Sequence, residues 1–435
     1  MVQKRPIIWR VSRLYPPNFT GSGIQAYRED REFVRRGISV FALAAGISAA
    51  EAQRCTTASM DGVTVKYLPI ISNPLWLNAI RSSFLYKLSF FIFELLSSLS
   101  FALGCAWTLL LDSHRNDIVI FETIDTFTIV TVTVARLKRL HTIVRMSLLG
   151  SDDPFSRLVR ARKGQVLEYL KLMVYNKVDS VVAICTAMIE SCHKAGIAKT
   201  KVAYIPYGVD MQRYKRVDEL SKAEIRRKLG LEQNNKYIIF VGSAIERKGI
   251  DVMVDSFLSV SERMRDVELL IVGPYEFDPR LHYNAQELYN VVRKCKDKIN
   301  IAQRGHLVHW TGQVDNVQDY MSAADVFCLP TRREGFGLVI VEAMACGLPT
   351  VVSCLDGVTT DIISSNEVGT IIPGFLYPDY AGAITNILTH PEQAANMGKA
   401  TRQRALSEFS LDSVVEKWLV LFNELSHGQL LVRQI

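Results

Sequence analysis

The sequence holds no framework for a disulfide scaffold or a structural metal. Its eight cysteines are scattered over 435 residues with no Cys-x-x-Cys pair. Several sit in apolar runs, as Cys328 does in Val-Phe-Cys-Leu-Pro, which fits buried, reduced thiols of a cytosolic compartment. The histidines form no His-x-x-x-His or His-Glu pairing, and no Asp-x-Asp is present to hold a metal–diphosphate pair; no metal and no cofactor is expected. Internal repeats and low-complexity tracts are absent, so solenoids and disordered tails drop out. The polar opening residues lack the pattern of a secretory leader. Long uninterrupted apolar runs are scarce too. The nearest, 84–111, is broken by Lys87 and Glu94, and its clean part, 95–111, contains four serines or threonines. That reads as a buried or interfacial helix rather than a membrane span.

What is present describes a folded chain of two or three domains, with 49% hydrophobic and 22% charged residues. The charge is unevenly divided. Met1 to Asp210 carries 26 Lys+Arg against 16 Asp+Glu, while the whole chain is only +7, so the second half is mildly acidic. Basic clusters at Arg136, Lys138 and Arg139 and at Arg157, Arg160, Arg162 and Lys163 suit anionic lipid headgroups, a pyrophosphate carrier, or simply a solvated face. With the apolar helix they predict peripheral contact with a membrane's cytoplasmic face. Nothing points to nucleic acid.

The order of elements is that of α/β domains with parallel sheets. Pro6–Val11 reads as a strand, followed by a loop ending in Gly21-Ser22-Gly23 and a helix closed by Arg35-Arg36-Gly37. Further apolar strands recur through 38–43, 118–121, 142–146 and 180–184. A second series starts at 237–242 and continues through 268–273, 308–312, 326–330 and 350–353. A polar stretch at 211–234 separates the two series. This predicts two Rossmann-like doubly wound domains, 1–210 and 211–410, facing across a cleft, and an amphipathic helix in 411–435.

The most informative stretch is 331–350, Thr-Arg-Arg-Glu-Gly-Phe-Gly-Leu-Val-Ile-Val-Glu-Ala-Met-Ala-Cys-Gly-Leu-Pro-Thr. Glu334 and Glu342 flank a Gly-Phe-Gly turn that opens an apolar helix. A turn nearly free of side chains, with helix amides behind it, suits a phosphate, and the acids beside it suit sugar hydroxyls or developing charge. Read without more, it is also an ordinary strand–turn–helix with Glu334 as a cap.

The stretch resembles the donor-site signature of retaining glycosyltransferases of family 4, which have the GT-B fold. The likeness is strong over 202–374, recognisable over 7–37, and a matter of element order over 61–139. It implies metal-independent transfer of a sugar from a nucleotide-sugar, which is a substrate rather than a cofactor, to a glycan or lipid-linked acceptor. It implies a C-terminal helix that crosses back to the first domain. It assigns Glu334 to the donor sugar and Glu342 to the ribose hydroxyls, with the backbone of Gly335, Phe336, Gly337 and Leu338 at the sugar and phosphates.

Lys248, in Val241-Gly242-Ser243-Ala244-Ile245-Glu246-Arg247-Lys248-Gly249, matches the lysine that holds the diphosphate. The family's arginine is replaced by Ser243, so either Arg247 reaches in or the site works with one cation fewer. Gly312, after Trp310, falls in the loop that frames the base, with Trp310 itself read as core. Gly21 and Gly23 would bring amides to the donor phosphate. The family's His-Gly pair is Leu149-Gly150 here, leaving Asp152 or Asp153 either to orient the acceptor or to cap the following helix.

Three rivals stand. A nucleotide-sugar epimerase or a sugar phosphorylase uses the same architecture, as does a binding protein without turnover. A nicotinamide enzyme fits poorly, because strand two ends in Leu43-Ala44-Ala45-Gly46, where a ribose-binding acid is needed.

Overall fold

The computed structural model describes residues 6–16, 21–46, 55–71, 84–122, 124–276 and 285–427. The chain divides into two compact units, Met1–Pro206 with Val414–Ile435, and Tyr207–Ser413. The division falls just before 207–210 because Val209 is tied to the end of the second unit. Its N–H donates to the Phe409 carbonyl (2.8 Å), and its own carbonyl accepts from Leu411 N–H (3.0 Å).

In the first unit the strands are β1 (Ile8–Val11), β2 (Val40–Ala45), β3 (Thr56–Met60), β4 (Val63–Leu68), β5 (Ile118–Phe121), β6 (His141–Arg145), β7 (Ser180–Ala183) and β8 (Val202–Tyr204). They form one sheet in the order β3-β4-β2-β1-β5-β6-β7-β8. It is parallel except for the β3–β4 pair. The helices are α1 (Gly21–Arg35), α2 (Phe84–Asp112), α3 (Thr128–Leu137), α4 (Pro154–Arg162), α5 (Val166–Lys177) and α6 (Thr186–Lys194). Strands β1, β5 and β7 are buried along their whole length, as parallel strands covered on both faces must be.

The second unit carries β9 (Lys236–Val241), β10 (Val267–Val272), β11 (Val308–Gly312), β12 (Val326–Leu329), β13 (Thr350–Ser353) and β14 (Thr370–Ile372). The order is β11-β10-β9-β12-β13-β14, parallel throughout. Its helices are α7 (Glu219–Lys228), α8 (Ile250–Arg263), α9 (Ala285–Ile301), α10 (Val317–Ala323), α11 (Leu338–Ala345), α12 (Thr359–Ile362), α13 (Tyr377–Thr389) and α14 (Pro391–Phe409). The polar stretch 211–234 contains α7, where Asp218 caps the Ser221 N–H at 2.8 Å. Arg226 of that helix reaches Asp325 at 2.8 Å, which fastens the segment to this unit.

The last helix, α15 (Leu411–His427), belongs from Val414 onward to the first unit. Trp418 is fully buried there. It lies under the guanidinium groups of Arg10 (5.8 Å) and Arg145 (5.7 Å), with Phe33 at 6.4 Å.

Among the parallel strands the order reverses at β1/β5 in the first sheet and at β9/β12 in the second. In open α/β sheets, ligands bind beyond the carboxyl ends of the strands at such a reversal.

Candidate active site

β9 ends at Val241 and its neighbour β12 at Leu329, so the loops 242–249 and 330–337 leave the sheet side by side. They are joined through their backbones. Arg332 N–H donates to the Arg247 carbonyl (2.8 Å), and the Arg247 guanidinium donates to the Arg333 carbonyl (2.8 Å). Arg332 also grips Asp251 of α8 through both nitrogens, at 2.8 and 2.7 Å. Burial works against the Asp251 charge, but this paired contact prevails and holds its pKa below the usual carboxylate range. Gly249 sits at φ +77°, and a Cβ there would stand 1.9 Å from the Pro330 carbonyl oxygen. Only glycine permits that approach.

The two loops bring together the residues singled out from the sequence. Lys248 Nζ donates to Glu334 Oε1 at 2.5 Å. Thr331 Oγ1 donates to the same oxygen at 3.1 Å, and Arg247 Nη1 lies 3.9 Å from Oε2. The Lys248 and Glu334 side chains are only 15% and 8% exposed, so this is a built polar cluster rather than a solvated surface pair. Arg247 is the second cation of the cluster, four residues beyond the Ser243 position where the family has its arginine.

Behind Glu334 the chain turns into α11. Gly337 takes φ +96° as the residue before the helix, a conformation that bulkier residues resist. The Ile340 N–H of α11 bonds the Gly337 carbonyl at 2.8 Å, which leaves the amides of Leu338 and Val339 at the helix start without an intrahelical carbonyl to bond. Phe336 is buried between the rings of Tyr207 (5.7 Å) and Phe409 (5.8 Å), so its side chain anchors the turn. Gly335 is buried beside it. Glu342, in the second turn of α11, is 5% exposed.

The carboxyl edge of β9, β10 and β11 is a shelf of backbone. Gly242 N–H donates to the Val272 carbonyl, and Gly273 N–H to the Gly312 carbonyl, both at 2.9 Å. A Cβ on Gly273 would fall 2.4 Å from the Gly242 oxygen. Ser243 follows on the same loop, partly exposed. Beyond the shelf, Trp310 and Tyr275 meet edge to face at 5.3 Å, with Lys296 of α9 over both rings at 5.5 and 4.7 Å.

Gly273, Tyr275, Lys296, Thr331 and the Arg332–Asp251 pair were not picked out by sequence reasoning. Gly273 had a signal: Leu-Leu-Ile-Val-Gly repeats the strand-then-glycine ending of β9. Lys296 and Asp251 had none, because their partners lie far away in the chain.

In the first unit, α1 opens on Gly21, which has open space around it, while Gly23 is buried. Residues 17–20 of the preceding loop lie outside the described residues. Helix α1 is held by a buried charge cluster. Arg10 of β1 bonds Asp30 (3.0 Å to Oδ1) and Glu122, and Arg145 of β6 bonds Glu29 (2.6 Å) and Glu122 (2.8 Å). All five side chains are essentially inaccessible.

The paired acids after β6 divide in role. Asp153 caps α4: it accepts from Ser156 N–H (3.0 Å), Gly150 N–H (2.6 Å) and the Ser191 hydroxyl. Burial opposes its charge, but these donors hold its pKa below the usual range. Its sequence reading had left both a cap and an acceptor role open, and the structure supports the cap. Asp152 keeps a side chain 36% exposed, bonded to Ser147 (2.7 Å) and Arg157 (3.3 Å). Among the described residues no cluster of three potential metal ligands occurs.

Comparison with known proteins gives a consistent family signal. A family model described as "Glycosyl transferases group 1" matches residues 221–404, and one described as "Glycosyl transferase 4-like domain" matches 20–208. A GDP-mannose-dependent alpha-(1-6)-phosphatidylinositol monomannoside mannosyltransferase of Mycobacterium tuberculosis is 28% identical over 225 residues, covering 49% of this chain and 54% of that protein. A D-inositol 3-phosphate glycosyltransferase of Kribbella flavida is 28% identical over 61% of this chain and 60% of that protein. The chain thus spans little more than half the length of these curated relatives. Among solved structures, Anabaena HepE in complex with UDP superposes with a TM-score of 0.73 at 15% identity, over 97% of this chain and all of that one. Sucrose-phosphate synthase from Thermosynechococcus elongatus gives 0.71 at 20% identity, over 98% and 100%. The shared fold is GT-B.

Proposed function

The chain belongs to the GT4-type glycosyltransferases, and on that premise we propose that it moves a sugar from a nucleotide-sugar to a hydroxyl of an acceptor, with retention and without a metal. The observation that carries this reading is the Lys248–Glu334 contact at the β9/β12 reversal, where two loops are locked together beneath the amides of α11.

In the transfer, the bond from the anomeric carbon to the diphosphate oxygen breaks, and a bond to the acceptor oxygen forms on the same face. The acceptor's proton leaves with the departing phosphate. Negative charge grows on the diphosphate and positive charge on the sugar. Lys248 and Arg247 supply fixed cations for the first, with the α11 amides, and Glu334 steadies the second. Arg247 stands in for the arginine replaced by Ser243. Glu342 meets the ribose, and the Gly242–Gly273–Gly312 shelf admits the nucleotide to the backbone. Gly21, at the start of α1, offers an amide from the first unit, and Asp152, rather than the capping Asp153, is the acid available to an acceptor hydroxyl.

The test is release of nucleoside diphosphate from a panel of nucleotide-sugars, with and without membrane extract. Lys248→Ala and Glu334→Ala should each lower the rate by about 10²–10³, the loss typical for one preorganised charge-stabilising group. Donor binding without release from any nucleotide-sugar would instead mark a non-catalytic binding protein.

Peripheral membrane contact is the finer part of the proposal. Helix α2 carries an exposed apolar face, with Leu103 52%, Trp107 63% and Leu111 62% exposed. Leu137, 80% exposed, lies near its end, where Lys138 binds the Leu109 and Leu110 carbonyls at 3.0 and 2.7 Å. Exposed Arg115, Arg136 and Arg139 flank this tip. An aromatic and aliphatic tip with cations beside it fits an anionic lipid surface.

A further inference from the structure

A hydroxyl has one hydrogen to donate, and that of Thr331 has three acceptors within reach. Thr331 follows β12 after Pro330 and is fully buried. Its Oγ1 lies 3.1 Å from the Arg247 carbonyl oxygen, 3.3 Å from that of Arg333 and 3.1 Å from Glu334 Oε1. Both carbonyls already have a donor: Arg332 N–H serves the first and the Arg247 guanidinium the second, each at 2.8 Å. The carboxylate is the one charged acceptor of the three, and a hydrogen bond to a charged oxygen is about twice as strong as a neutral one. The proton therefore goes to Glu334. Thr331 is itself held in place. The Ser353 hydroxyl, at the end of β13, donates to its carbonyl, and the Ser353 carbonyl accepts from the Thr359 hydroxyl at 2.7 Å.

The other donor to Oε1 is less fixed. Lys248 Nζ ends a flexible four-carbon stem, laid over Gly242 so closely that a Cβ there would stand 3.7 Å from its Cδ. The same ammonium is the cation assigned to the diphosphate, whose charge exceeds that of one carboxylate and draws it away. Once Lys248 turns, Thr331 is the donor left within hydrogen-bond distance of the Glu334 carboxylate among the described residues, since Arg247 Nη1 stands 3.9 Å from Oε2. A carboxylate released by its lysine and held by nothing else would be free to rotate just when its position matters.

We propose that Thr331 is a positioning residue, whose hydroxyl keeps the Glu334 carboxylate aimed at the donor sugar after Lys248 has passed from Glu334 to the diphosphate. It touches neither sugar nor phosphate and acts through Glu334 alone. The role in transfer rests on the reading of Glu334 as the donor-sugar acid; the hydrogen bond does not.

The test compares Thr331→Val, which keeps the branched shape without the hydroxyl, with Thr331→Ser, which keeps the hydroxyl. Thr331→Ala serves as a second deletion should the valine chain fail to fold. Release of nucleoside diphosphate gives kcat, and calorimetric titration with UDP and GDP gives the affinity of the diphosphate site. Losing a hydrogen bond to a charged group should lower kcat by about 10–100-fold in the valine and alanine chains. Diphosphate affinity should stay within about twofold, because Lys248, Arg247 and the α11 amides remain, and Thr331→Ser should recover kcat to within about threefold. Parental kcat in the valine chain, kcat and diphosphate affinity falling together, or failure of serine to rescue would each overturn the assignment. The contact is read without turnover by urea unfolding of Thr331→Val, Glu334→Gln and the double variant, whose losses should be less than additive. Such coupling alongside no release from any donor would leave the contact standing and remove the transferase reading. Additive losses alongside parental release would do the reverse.

Discussion

At the scale of single residues, the candidate site depends on close approaches that leave no slack. Gly249 illustrates this: its positive φ and the 1.9 Å from a would-be Cβ to the Pro330 oxygen act together. Gly249→Ala should destabilise the protein by about 1–3 kcal/mol, read as a lower urea midpoint. It should also part the Lys248 and Glu334 loops, so activity falls further than stability explains. A midpoint within error of the parent would mean that the loops shift apart without strain. Lys248 and Glu334 were legible in the sequence because each lies beside glycines that close a strand and open a helix. Arg332 was not, since Asp251 lies 81 positions away and no local pattern marks such a pair.

Helix α1 shows how one element can be tuned by buried charge. Three carboxylates, Glu29, Asp30 and Glu122, face two guanidinium groups, Arg10 and Arg145, with water excluded. Burial raises the pKa of Glu29 and of Asp30, outweighing the arginines that pull them down. From the ordinary carboxylate range up to those raised values, the folded chain holds protons that the unfolded chain has lost. This cluster's contribution therefore declines as pH rises through that window. Glu29→Gln should flatten the dependence, and urea titrations at a series of pH values would expose an unchanged slope.

Asp153 has the opposite sign. Its depressed pKa gives stability above the unfolded value that is lost as pH falls. Asp153→Ala should cost about 1 kcal/mol or more through the lost cap. Among whole elements, α2 was legible as one long helix from its apolar run. The β3–β4 hairpin was missed because Thr-Thr-Ala-Ser-Met is largely exposed and lacks a clear apolar alternation.

At the scale of the whole molecule, the two series of alternating strands and helices announced two doubly wound sheets. The reversal points could not be read, because strand order depends on which crossovers turn back, and no residue encodes that locally. The Lys248–Glu334 cluster sits at the β9/β12 reversal of the second unit. Membrane contact belongs to this scale as well. The protein should sediment with vesicles containing phosphatidylglycerol more than with pure phosphatidylcholine, and less so as salt rises. Trp107→Glu with Leu110→Glu should weaken it; sedimentation that ignores both lipid charge and these changes would exclude the α2 tip as the anchor.

The burial of Trp418 against Arg10 and Arg145 has a consequence for how the protein is made. Its first unit is sealed by residues translated more than 200 positions after the rest of that unit, so the ribosome releases the second unit's complete stretch before the first can close. A chain stopped short of α15 would leave Phe33 and two buried arginines uncovered. Such fragments should be insoluble or rapidly proteolysed, even though the segment holding Lys248 and Glu334 is intact.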